Sequence, residues 1–244
     1  MEVNIKDLLE AGAHFGHQKE RWNPKMRPFI FVTRDNVHII DLEKTVEYTE
    51  KAIGFVESVV KRGGKILFVG TKRQAKDLVK KAAEDCNMPY ATNRWLGGLL
   101  TNFDTIRKRL KRLKDLEEQK ATNELEKFTK REQMKFAKEA EKLEVNFGGI
   151  RNLTSLPDAL FVVDIITDEV AVKEARKLGI PVIALVDTNA NPDMVQYPIP
   201  SNDDAIKTIG YFCNLMAETI RESGQLKAES GEQKVDKKEA TTQK

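Results

Sequence analysis

An α/β fold, with a parallel sheet covered by helices on both faces and an inserted antiparallel coiled-coil helical hairpin, is predicted by three features of the 244-residue chain. Lys65–Val69, Ala159–Val163 and Pro181–Val186 are continuously apolar rather than alternating, as strands buried on both faces are. Helical patterns separate these runs, which is the rhythm of a parallel sheet. Between the two α/β halves, residues 104–147 are charged and carry only narrow apolar seams. Ile106, Leu110 and Leu113 form one, and Phe136, Ala140, Leu143 and Phe147 the other, enough to bury two helices against each other but too little for a globular core.

In chain order, a helical pattern opens at Asn4, with Ile5, Leu8 and Leu9 on one face and Gly12 near its end. Residues 14–31, HFGHQKERWNPKMRPFIF, are kept out of regular structure by Gly16, Pro24 and Pro28. Phe29–Val32 and Val37–Ile40 flank Thr33-Arg34-Asp35-Asn36 as a hairpin. Leu42–Lys61 is helical, Lys65–Val69 a strand, Thr71–Asp85 a helix capped by Thr71, and Met88–Ala91 a short extended piece. Beyond the insertion come the strand Ala159–Val163, the helix Asp168–Leu178 stopped by Gly179, the strand Pro181–Val186 and a long helix Asn202–Arg221. Residues 224–244 have almost no apolar content and are expected to be disordered. The chain therefore divides into 1–103, the first part of the α/β domain with the N-terminal helix and the loop; 104–147, the hairpin; 148–222, the second part of the domain; and 223–244, the tail.

Charge is unevenly spread. The net charge is only +3, yet residues 1–147 carry +7 and residues 148–222 carry −5. An electrically two-sided molecule is expected, one side suited to phosphate and the other to solvent or a basic protein. Cys86 and Cys213 have no paired-Cys spacing, the pattern of a reduced compartment. No signal peptide and no run of about 18 apolar residues is visible, so a cytoplasmic protein with no membrane partner is expected.

The loop 14–31 alternates Lys19, Arg21, Lys25 and Arg27 with Phe15, Trp22 and Phe29. Cations neutralise phosphates and aromatic rings stack on unpaired bases, so this mixture suits RNA. The alternative is an ordinary surface loop whose Trp22 and Phe29 plug the core. Six of the eight residues Arg107–Lys114 are basic, which suits a phosphate backbone or an acidic partner, or is a solvated helix face. After the first strand, Gly70, Thr71, Lys72 and Arg73 could receive a phosphate at a helix start, from a polynucleotide or a metabolite. The metabolite reading, an enzyme working with Asp187, lacks both the GxxxxGK[ST] and the GxGxxG spacing. Asp164 and Asp187 follow strands, where a carboxylate pair can serve phosphoryl chemistry or simply make loop turns. Asp187–Asp193 starts like a calcium loop, then has Pro192 where Gly is required. His17, Asp187, Asp203 and Asp204 form a candidate site for a divalent metal such as zinc, provided the early loop lies over the sheet's carboxyl edge; otherwise no cofactor is expected. No nucleophile has a base near it in sequence.

Long motifs in fixed order then make a resemblance specific: AGAHFGHQKERWNPKMRPFIF (11–31), HIIDLEKT (38–45), ILFVGTKRQA (66–75), NRWLGGLLTNFDTI (93–106), GGIRNLTSLPDALFVVD (148–164), LGIPVIALVDTNANPD (178–193) and IPSNDDAI (199–206). From about Ile5 to Arg221 the chain resembles the bacterial small-subunit ribosomal protein S-two family. The resemblance implies a Rossmann-like or flavodoxin-like domain carrying a coiled-coil hairpin, bound to small-subunit rRNA near the head-body junction, with no catalysis and no small-molecule substrate. It implies neighbouring ribosomal proteins as partners and a docking surface for the mRNA-capturing ribosomal protein S-one. Carried over by position, the RNA contacts are Lys19, Arg21, Trp22, Lys25 and Arg27, with Arg94, Trp95, Gly97 and Gly98 of the RWLGG turn, and Lys108, Lys111 and Arg112 on the hairpin. Gly97 and Gly98 can admit a close backbone; a tight turn leading from Trp95 in the core is the alternative.

Overall fold

The computed structural model describes the backbone of residues 3–123 and 127–242, with side chains to 225. Five strands form an all-parallel sheet: β4 (Ile66–Val69), β5 (Tyr90–Ala91), β6 (Ala159–Val162), β7 (Val182–Val186) and β8 (Tyr197–Pro200). Their spatial order is β5-β4-β6-β7-β8, the flavodoxin-like 2-1-3-4-5 arrangement when counted within this sheet. The chain leaves β4 in one direction to β5 and in the other to β6. The ligand crevice of such folds lies at the switch point between β4 and β6, at the carboxyl ends of the strands.

Because successive side chains point to opposite faces, each continuous apolar strand feeds two cores. Ile66 and Phe68 of β4, Phe161 of β6, and Ile183 and Leu185 of β7 face one core, shared with α2 (Leu42–Lys61), α3 (Lys76–Asp85) and α7 (Ile206–Thr242). Leu67, Val69, Leu160, Val162 and Ala184 face the other, covered by α6 (Glu169–Lys177), the segment 95–100, and the helix pair α4 (Phe103–Ala121) and α5 (Lys130–Phe147). The edge strand β8 was not legible in the sequence. It holds Pro198 and Pro200, and proline survives in a sheet where an N–H has no neighbour to serve.

A second, antiparallel sheet has the order β1-β3-β2, with β1 at Phe15–Gln18, β2 at Ile30–Arg34 and β3 at Val37–Ile40. The expected hairpin is β2–β3. Its turn holds Asp35 at φ 50° and Asn36 at φ 63°, left-handed positions that suit a two-residue connection. Helix α1 (Ile5–Ala11) starts at the Asn4 cap, whose side chain accepts from the Lys6 N–H, and stops at Gly12 with φ 82°. Only Leu8 of its three expected apolar residues is buried; Ile5 and Leu9 face solvent.

The pair α4–α5 is rooted in the second core. Ile106, Leu110, Leu113 and Leu116 of α4 pack with Leu143 and Phe147 of α5, as the seams require. Arg112 adds a two-pronged contact to Glu139 at 3.1 Å on each nitrogen. At the chain's end, α7 continues to Thr242 rather than stopping near Arg221.

Candidate nucleic-acid interface

The loop 14–31 is pinned to the carboxyl edge of the parallel sheet. The His17 N–H donates to Thr188 Oγ1 at 2.8 Å, and the Asn23 N–H to the Thr188 carbonyl at 2.7 Å. Asn202, after β8, donates from Nδ2 to the Phe15 carbonyl at 2.6 Å. Gly16 is required at this junction: a Cβ there would sit 2.5 Å from Thr188 Cγ2. Lys19–Arg21 forms a short 3-10 turn between these ties, and Pro24–Phe29 follows as a second one, capped by Asn23. Met26 and Phe29 are buried anchors, and Phe29 meets Tyr48 edge-on at 5.1 Å. Lys19, Arg21, Lys25 and Arg27 are left exposed. Trp22 is partly buried, tilted against His38 at a centroid distance of 5.4 Å. Thus Phe29 plugs the core, as the plain-loop alternative had it, while the cations face outward.

The turn after β4 departs from expectation. Thr71 does not cap α3, which begins at Lys76; its N–H and hydroxyl go instead to Asp168, at 3.1 and 2.8 Å. Arg73 is exposed. Lys72 turns inward, its ammonium 2.8 Å from Asp203, 3.2 Å from Asp164 and 2.5 Å from Asp204. It is therefore withdrawn from the phosphate contacts. Its neighbour Arg73 is basic, but its partners lie far along the chain and could not be read locally. Burial works against the Lys72 charge, yet the carboxylates outweigh it and hold its pKa above the usual lysine range. Burial and the neighbouring Asp164 and Asp187 charges push Asp203 up to about 7, against the pull of Lys72. Asp164 feels the same burial, but hydrogen bonds from Thr167 and Ile166 together with Lys72 bring it below the ordinary value.

His17, Asp187, Asp203 and Asp204 do converge, since the loop lies over the sheet edge. His17 Nδ1 is 3.1 Å from Asp187 Oδ2, and its Nε2 is 3.6 Å from Asp204. The first contact is poorly directed: Asp187 Oδ2 is buried and accepts no hydrogen bond among the described residues. The Asp187 contact nonetheless leads in raising the His17 pKa, ahead of opposing burial. The four residues do not fit a resident metal. Lys72 already supplies the cation that Asp203 and Asp204 face, and no group of three or more His, Cys, Asp or Glu among the described residues is placed to hold a metal ion.

The RWLGG turn splits in two. Arg94 and Gly97 are exposed, and nothing lies within 4 Å of a Cβ built on Gly97. Trp95 is buried and so is lost as a stacking surface. Gly98 takes φ 89°, a backbone requirement of the tight-turn alternative. Sequence reasoning missed what holds this turn: Glu174 of α6. Its Oε1 accepts from Trp95 Nε1 at 3.3 Å and the Gly98 N–H at 2.6 Å. Oε2 accepts the N–H groups of Leu100 and Thr101 at 3.0 Å each and the Thr101 hydroxyl at 3.1 Å. Burial raises the Glu174 pKa, and these donors more than reverse it. The available signal was a carboxylate on the apolar stripe of α6, beside Ala171, Val172 and Ala175.

On the helix pair, Lys108 and Lys111 are exposed while Arg112 is taken up by Glu139. The acidic side is only partly on the surface. Of the eleven acidic residues of 148–222, Asp164, Asp168, Glu174, Asp187 and Asp203 are buried, while Asp158, Glu169, Asp193, Asp204 and Glu222 are exposed.

A family model described as Ribosomal protein S2 matches residues 8–223. Small ribosomal subunit protein uS2 of a Nitratiruptor species is 52% identical over 225 residues, covering 92% of this chain and 84% of that protein. The protein of the same description from Tolumonas auensis is 52% identical over 225 residues, 92% of this chain and 93% of its own length. That of Campylobacter hominis is 48% identical over 237 residues, 97% and 89% respectively.

Proposed function

The chain belongs to the Ribosomal protein S2 family, whose members are structural proteins and not enzymes, and from that premise we propose that it binds rRNA as a constituent of the small ribosomal subunit and serves translation there, in the cytoplasm. The observation that carries the rRNA contact is the loop 14–31: Lys19, Arg21 and Arg27 are exposed on a backbone tied to the sheet edge at His17 and Asn23, with Lys25 exposed beside its partner Asp193. Preset cations meet phosphates without first ordering a loop, so less of the Coulombic gain is spent on entropy. Arg73, Arg94, Lys108 and Lys111 extend the contact, with the subunit's head-body junction as the place of docking. Trp22 offers an edge for base contact.

The pair α4–α5 is read as an antiparallel coiled coil. Its outer face exposes Met134 and Val145 and is the favoured surface for ribosomal protein S-one or another subunit protein. The enzyme reading loses its phosphate site, because Lys72 is spent on its own carboxylates.

Sucrose-gradient sedimentation of a native lysate tests the proposal. Co-sedimentation with small subunits and release by a high-salt wash is expected; free protein at the top of the gradient at moderate salt would overturn it.

A further inference from the structure

We infer that Glu174 is a positioning residue that sets the Arg94–Thr101 turn in the shape that presents Arg94 to rRNA, an inference that rests on the rRNA reading above. Its carboxylate stands where a bound anion would stand in a nest of backbone N–H groups. The division of labour between its oxygens is the key. Oε1 holds the first half of the turn, through Trp95 and Gly98, and Oε2 the second half, through Leu100 and Thr101. The rigid spacing of the two oxygens therefore fixes the separation of the halves, across the point where Gly98 takes φ 89°.

All five donors to this buried carboxylate are uncharged. A buried carboxylate is tolerated only when such donors are oriented in advance. The turn and the carboxylate thus define each other's geometry, whereas apolar packing of Trp95 alone would leave the N–H groups of Gly98, Leu100 and Thr101 to water or to a foreign anion. Arg94 is exposed and directly precedes the first group held.

The test pairs amide hydrogen exchange with binding of a small-subunit rRNA fragment by the full-length protein. Glu174→Gln replaces one acceptor oxygen with an NH2 facing donors. It is expected to strip protection from the Gly98, Leu100 and Thr101 amides while leaving β6 and β7 protected, and to weaken rRNA binding about tenfold, the scale of a lost charge-assisted bond. Arg94→Ala is expected to weaken binding similarly, and the double variant little further. In Glu174→Ala, added formate is expected to restore both protection and binding, as no purely packing role would allow. If Glu174→Gln does not fold, Thr101→Ala, which removes one side-chain donor, is expected to loosen the same amides. Unchanged protection, absence of formate rescue, or an additive double variant overturns the role of Glu174. Arg94→Ala binding rRNA like the parent overturns the rRNA reading of this turn, and the inference with it, whatever the amides show.

Discussion

The Lys72 ammonium, in the turn after β4, lies 2.8 Å from the Asp203 carboxylate, beyond β8 at the far edge of the sheet. It also reaches Asp164, after β6. One side chain therefore ties three of the loops that border the crevice. Removing one member of a buried ion cluster strands the rest, so Lys72→Met is expected to cost about 3–5 kcal/mol of stability. Urea denaturation measures it, and combining Lys72→Met with Asp203→Asn should recover part of the loss. A Lys72→Met variant as stable as the parent would show that the cluster does not hold these loops.

Asp203 also sets a pH dependence. Its folded pKa, about 7, lies above the ordinary 3.8, so the native state binds the extra proton between those values. Its contribution to stability is full below the ordinary value and is lost as pH rises through about 7. His17, also raised, acts in the same sense above its ordinary 6.5. Asp164, lowered, acts oppositely, losing its contribution only in acid. Denaturation midpoints should therefore fall from weakly acidic to neutral pH, and Asp203→Asn should flatten that slope. An unchanged slope in the variant would assign the titration elsewhere.

At Gly16, an added Cβ would approach Thr188 Cγ2 to 2.5 Å and Thr188 Oγ1 to 2.8 Å. Gly16→Ala is expected to cost about 1–3 kcal/mol by overpacking and to weaken rRNA binding as the loop lifts from the sheet edge. Thermal melts and filter binding read the two effects. Gly97→Ala, with open space around it, should be close to neutral in the melts.

Arg21→Ala with Arg27→Ala addresses phosphate contact directly. Both side chains are exposed, so stability should stay within about 0.5 kcal/mol. The slope of log K against log salt should drop by about 2, one for each phosphate that is no longer neutralised. Binding titrations across a salt series decide it; an unaltered slope would remove these arginines from the interface.

In the α4–α5 pair the seam should outweigh the charges. Leu113 is 1% exposed, and Leu113→Ala is expected to cost about 2–5 kcal/mol. The Arg112–Glu139 pair is partly exposed, and Arg112→Ala should cost about 1 kcal/mol or less of pairing energy. Comparative urea melts rank the two.

What was legible in the sequence followed burial. Strands β4, β6 and β7 could be read because both of their faces are covered, leaving no polar position to interrupt the run. β8 could not, because its prolines imitate a loop, and β1 could not, because FGHQ has almost no apolar signal. The exposed cations of the loop were found from composition alone. Lys72 was misread for a related reason: a charge among charges looks solvated until the fold brings carboxylates from other loops around it. Glu174 was obscured by the same distance, since its donors lie in a turn far earlier in the chain, whereas Trp95 in the core was already the alternative reading of the RWLGG turn.

The inward-turned Lys72 bears on the order of events in assembly. A chain that carries its own counter-cation has its acidic crevice partly neutralised before any polyanion arrives. It meets the nascent subunit as a finished body with its loops already tied, so its rate of incorporation should follow encounter and docking rather than a folding step completed on the RNA.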